Sequence, residues 1–142
     1  MAGAVSLRGI FSALLVAVAS LAARDVQADP PVTPLRASIV CETPAAPGRF
    51  RCDVEVRVSS GTLSWADVMV TKTDDFILPL RGRLGSRDAS TRDADIYRWS
   101  LGFVARERSA GDVTVRARAV VCHGQVCDPV ETDLVGHVVV GR

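Results

Sequence analysis

The sequence contains no Asn, so it holds neither an N-glycosylation acceptor nor an Asn-Gly hairpin turn. Lysine is nearly absent as well: Lys72 stands alone beside 16 Arg. Aromatic residues make up only 5% of the chain, and the formal net charge is +1 over 142 residues. A nucleic-acid binder needs a basic excess for phosphates and aromatic faces for bases, and neither is present. There is no G-x-S-x-G and no P-loop, which leaves a hydrolase or nucleotide enzyme without its machinery. Turns must be built from Gly, Asp, Ser and Pro. With 48% hydrophobic residues, this length fits one small globular domain.

What is present begins with a secretory pattern. Arg8 supplies a positive n-region, Ile10 to Ala23 form an apolar run, and Val26-Gln27-Ala28 offers small residues for cleavage. The run is too short to cross a hydrocarbon core of about 30 Å. The sequence therefore predicts a signal peptide over 1–28, a linker over 29–35 and a domain over 36–142, with no membrane insertion after cleavage. Removing residues 1–28 takes away Arg8, Arg24 and Asp25, which leaves 15 basic and 15 acidic side chains. The expected location is periplasmic or secreted.

The remaining chain alternates with period 2. Phe50, Cys52, Val54, Val56 and Val58 share one face, against Arg51, Asp53, Glu55 and Arg57 on the other. The same alternation recurs at Tyr97, Trp99, Leu101 and Phe103, and at Val113, Val115, Ala117, Ala119 and Val121. Further strands are predicted over Ala37 to Cys41, from Trp65 through Val70, over Phe76 to Leu80 and over Leu134 to Val140, with Pro79 marking an edge or a strand end. Arg81 to Asp95 is polar and aperiodic after Leu84, and is expected to be a mobile loop. Trp65 and Trp99, both within strands, are expected in the core. No helical period is present to build parallel crossovers. The fold class that follows is all-β, an antiparallel immunoglobulin-like sandwich, with a small barrel as the alternative.

In an exported chain, four cysteines point to disulfides. Local spacing pairs Cys41 with Cys52 across a Pro- and Gly-containing turn, as a structural staple, and Cys122 with Cys127 across His123-Gly124-Gln125-Val126. The second ring is very short, and two sulfurs in a tight exposed turn are open to attack by a partner thiolate. The equally open reading is a second structural disulfide. A metal centre of Cys122, His123, Cys127 and His137 is disfavoured, because adjacent residues point to opposite strand faces and oxidised cysteines cannot ligate as thiolates. No cofactor is implied.

Val113-Thr114-Val115 leading into Cys122-His123-Gly124-Gln125-Val126-Cys127-Asp128-Pro129, followed by Thr132 and another apolar strand, resembles the N-terminal periplasmic domain of the DsbD thiol–disulfide interchange family. Asp74-Asp75-Phe76 resembles that family's cap loop, and Tyr97-Arg98 with Leu101 and Phe103 resembles the strand after the cap. The resemblance spans roughly residues 36 to 140. It implies an immunoglobulin-like fold, Cys122 and Cys127 as a catalytic redox pair, and Asp74, Asp75 and Phe76 as a cap shielding the sulfurs. Its implied partners are thioredoxin-like periplasmic proteins and a membrane electron donor. The competing function is a non-catalytic extracytoplasmic sandwich that binds or supports a partner through its loops, with two structural disulfides.

Overall fold

Nine strands form among the described residues: β1 Leu35–Cys41, β2 Gly48–Val58, β3 Thr62–Thr73, β4 Ile77–Pro79, β5 Arg83–Leu84, β6 Thr91–Arg92, β7 Ile96–Ala105, β8 Ala110–His123 and β9 Val126–Val139. The computed structural model describes residues 35–141, so the predicted signal peptide and nearly all of the linker lie outside the described residues. Every strand pair is antiparallel. One sheet has the order β1-β2-β7-β4, with β6 also on β7, and the other the order β5-β3-β8-β9. Two separate ladders make a sandwich and not a closed barrel. Their strand order is that of the immunoglobulin-like fold, in which consecutive strands split between facing sheets.

The alternation in the sequence sorts the side chains as predicted. Phe50, Cys52, Val54 and Val56 are buried on β2, as are Tyr97, Trp99, Leu101 and Phe103 on β7 and Val113 through Val121 at odd positions on β8. Phe50 lies opposite Phe103 in the ladder, and the two rings stack at 5.4 Å. Fully burying each such side chain contributes about 1.5–3 kcal/mol, and the three runs alone supply most of the core. Pro79 ends β4, an edge strand, where its missing N–H interrupts no ladder.

Two sequence expectations need correction. The polar stretch from Arg81 to Asp95 is an ordered crossover that contains β5, a 3-10 turn over Ser86–Asp88, and β6. Its order comes from hydrogen bonds that apolar periodicity does not register. The Ser86 hydroxyl donates to the Ala66 carbonyl at 2.6 Å and accepts from the Ala66 N–H at 3.1 Å, while the Trp99 indole N–H donates to the Gly85 carbonyl at 2.9 Å. The second correction is Trp65. Trp99 is fully buried as expected, but the ladder between β3 and β8 slips between Leu63 and Trp65. That bulge inserts one residue and reverses the face: Leu63, Ala66 and Val68 point inward, and Trp65 turns outward, partly exposed.

Candidate functional site

Both predicted disulfides are formed, and each joins directly opposed residues of neighbouring strands. Cys41 faces Cys52 across β1 and β2, and Cys122 faces Cys127 across β8 and β9. Such bonds mature in an oxidising compartment outside the cytoplasm.

The two bridges sit in opposite environments. Cys52 is on the inner face of β2 and completely buried, and the Cys41 sulfur lies over Gly136 of the facing sheet. A Cβ at residue 136 would come within 2.7 Å of that sulfur, so glycine makes room for the bridge in the core. Cys122, by contrast, follows the outward positions of β8, where Arg116, Arg118 and Val120 also point, and Cys127 is exposed. The second bridge therefore lies on the outer surface of its sheet.

A two-residue hairpin, Gly124-Gln125, closes this end, with His123 opposite Val126 as the last pair. Gly124 has a φ of +61° and Gln125 does not share the positive sign, which is the II′ pattern that suits strand twist. His123 turns to the other face, where its Nε2 lies 3.3 Å from the Ser60 hydroxyl. The turn before β3 packs against it so tightly that a Cβ on Gly61 would fall 2.7 Å from the Cys122 carbonyl oxygen.

The structure does not bring the cap-like residues to these sulfurs. Asp74 follows the last residue of β3, at the far end of β8: its N–H donates to the Asp112 carbonyl, and its carboxylate accepts from the Asp112 N–H at 2.9 Å. Asp75 gives only its carbonyl, to Arg106. Phe76 is buried against Gly111, where a Cβ would meet its ring at 2.7 Å. Gly111 and Cys122 are eleven residues apart on one strand, so Phe76 is about 35 Å from the disulfide at 3.2–3.4 Å per residue. The physical reason is the direction of the chain: Thr62 lies beside Cys122 and Thr73 beside Val113, so whatever follows β3 starts at the opposite end. His137 is equally remote from the sulfurs, paired with Asp112 at 2.9 Å. Among the described residues no cluster of His, Cys, Asp and Glu is arranged to hold a metal ion.

Beside the exposed bridge is a shallow groove that the sequence reading missed, lined by Trp65, Arg118, Val120, Pro129, Val130 and Glu131. The Arg118 guanidinium carbon stands 5.7 Å from the Trp65 ring centre. Behind it is Asp67, a fully buried carboxylate on the outer side of β3, which accepts from Arg83 at 2.6 Å and from Arg118 at 2.9 Å. Two hydrogen bonds to the Asp67 carboxylate hold the Arg118 guanidinium in place, and they raise its pKa above the ordinary arginine value. Asp67 sits in the sequence between Ala66 and Val68, and an acidic residue flanked by buried apolar ones was the available signal. The bulge at Trp65 hid it by reversing the phase.

No family model matches the chain, and no curated protein matches it by sequence. Among solved structures it is similar to the ASH/PapD-like domain 7 of human CEP192, at 12% identity and a TM-score of 0.43, covering 95% of this chain and 100% of that one. It is also similar to AggA, the major subunit of aggregative adherence fimbriae type I from Escherichia coli, at 11% identity and a TM-score of 0.36, covering 75% of this chain and 95% of that one.

Proposed function

We propose that the chain is a non-catalytic β-sandwich of the periplasm or the extracellular space, a binding or structural module in which both disulfides act as staples. The observation that carries this reading is the separation of Phe76 from Cys122–Cys127 along the full length of β8. A relay disulfide needs protection between encounters, and the residues that resemble a cap pack instead around the start of β8, where Asp74 holds the strand end by hydrogen bonds to Asp112 and the Asp75 and Phe76 carbonyls accept from Arg106. A second observation agrees with it: each bridge closes a ladder already in register and so reinforces existing pairing. The groove between Trp65 and Glu131 is the surface on which a partner would seat, since it joins an aromatic face, a fixed guanidinium and an apolar floor.

The test is a trapping experiment with an oxidised thioredoxin-like protein. Cys127→Ala and Cys122→Ala should each fail to accumulate a mixed disulfide above the level seen with an unrelated exposed thiol. Capture by one of them and not the other would restore the relay reading, with that cysteine as the attacking sulfur.

A further inference from the structure

β9 is the last strand of its sheet, and among the described residues no strand lies beyond it. Its ladder with β8 runs one residue against one from His123 and Val126 to Ala110 and Val139, without a bulge. The alternation of that ladder fixes which backbone groups are already used. Cys122 and Cys127 have Cα atoms 4.0 Å apart, the close spacing of an opposed pair that exchanges no backbone hydrogen bonds. Pro129, two residues further on, has no N–H to give. Val140, at an even position, donates its N–H to the Ser109 carbonyl at 2.9 Å, on the β8 side. Even-numbered residues therefore bond to β8, and odd-numbered ones aim N–H and C=O away from it. Past Pro129 these are Glu131, Asp133, Val135, His137 and Val139.

Sheet edges of natural proteins are blunted by proline, by charged side chains, lysine above all, by bulges or by short length, because a long bare edge pairs with other chains, and on β9 the charges are the carboxylates of Glu131 and Asp133. Pro129 blunts β9 as far as its own position. From Glu131 to Val139 the strand has no proline, no lysine and no bulge, and at its middle Val135 is 62% exposed.

We propose that this edge pairs antiparallel with the same edge of a second copy of the chain, about a two-fold axis at Val135. The self-complementarity of the outward side chains argues for that occupant. In this register Val135 faces the partner's Val135, Asp133 faces the partner's His137, and Glu131 faces the partner's Val139. The stretch from 131 to 139 is used in full, and Pro129 is left outside it. Five opposed pairs exchange about ten backbone hydrogen bonds, two per pair. Moving the axis to Asp133 would set two carboxylates face to face and bring Pro129 into the ladder, and like charges directly opposed are destabilising. Each new charge pair also extends a row present within one copy, since Asp133 accepts from Arg116 at 2.8 Å and His137 pairs with Asp112 at 2.9 Å. The product is one continuous sheet through both copies, with a two-fold isologous interface.

Analytical ultracentrifugation of the oxidised protein over a range of concentrations tests the proposal. The expected result is a reversible monomer–dimer equilibrium. Val135→Lys, which opposes two ammonium groups at the axis, should raise the dissociation constant at least about fivefold with the melting temperature unchanged at concentrations low enough to hold both proteins monomeric. Val135→Cys should form a disulfide-linked dimer under mild oxidation, whereas Val40→Cys, at an exposed valine on the other sheet, should not. A chain that stays monomeric to millimolar concentration overturns the proposal, and that is also the result if the edge serves an extended segment of a different protein. A dimer indifferent to Val135→Lys, or equal cross-linking at both positions, overturns it as well.

Discussion

Removing the buried bridge should cost this domain about twice as much stability as removing the exposed one. Replacing Cys41 and Cys52 by Ala opens a loop of about twelve residues, and replacing Cys122 and Cys127 opens one of about six. On the chain-entropy relation these closures are worth about 2.8 and about 2.2 kcal/mol, which alone would barely separate the two variants. Burial separates them. Cys52 is completely inaccessible and the Cys41 sulfur rests on Gly136, so deleting two sulfurs there leaves a void of about 40 Å³, costing roughly 1 kcal/mol more. Deleting the outward pair on β8 and β9 leaves no void. The totals, about 4 against about 2 kcal/mol, correspond to about 17 °C and about 9 °C in melting temperature for a domain of this size. Differential scanning calorimetry of the two double variants, followed by urea titration at 25 °C, measures both. Equal losses, or a larger loss at Cys122 and Cys127, would refute the assignment of burial as the deciding difference.

Two other outcomes follow from the geometry. Phe76→Ala should lower the melting temperature through the loss of a buried ring, yet leave the rate at which dithiothreitol reduces Cys122–Cys127 within about twofold, because Phe76 stands about 35 Å away; thiol-quench mass spectrometry reads the rate. The pH dependence should be an acid limb. Hydrogen bonds hold three carboxyls below the usual carboxylate range: Glu55 by Arg98 and then Arg57, Asp133 by Arg116, and Asp88 by the Gly85 N–H and then Arg81. Since their folded pKa values are depressed, the stability they contribute is present above about pH 4 and is lost as pH falls through the folded values. Urea midpoints from pH 7 to pH 2 should be flat at first and then fall, and Arg116→Ala should remove part of the fall.

Much of the fold is legible in the sequence because a half-buried antiparallel strand writes its burial as simple alternation. β2, β7 and β8 carry that pattern over seven to nine residues each, and each strand appears where the pattern puts it. β9 is legible only in its second half, because Glu131 and Asp133 lie outward on an edge and Asp128, on the opposite face at the exposed start of the strand, breaks the inward apolar run. The crossover from Arg81 to Asp95 is invisible to a pattern argument. It is held by Ser86 hydrogen bonds to the Ala66 backbone and by the Trp99 indole on Gly85, contacts between residues far apart in the chain. A single inserted residue beside Trp65 is equally silent, and it moves that ring from the expected core to the surface groove. The cysteine pairings follow from spacing. Whether Phe76 meets the second pair depends on which end of β8 the chain reaches after β3, and residue types do not encode that direction.

The reduction potential of Cys122–Cys127 decides whether this exposed bridge is a staple. The protein is equilibrated in thiol–disulfide buffers of graded poise, quenched with an alkylating reagent, and the two bridges are resolved by peptide mass spectrometry. The prediction is that Cys122–Cys127 stays oxidised to below about −300 mV, the range of structural disulfides. A value near that of thioredoxin-like exchange partners, about −120 to −270 mV, with Cys41–Cys52 still intact, would contradict it.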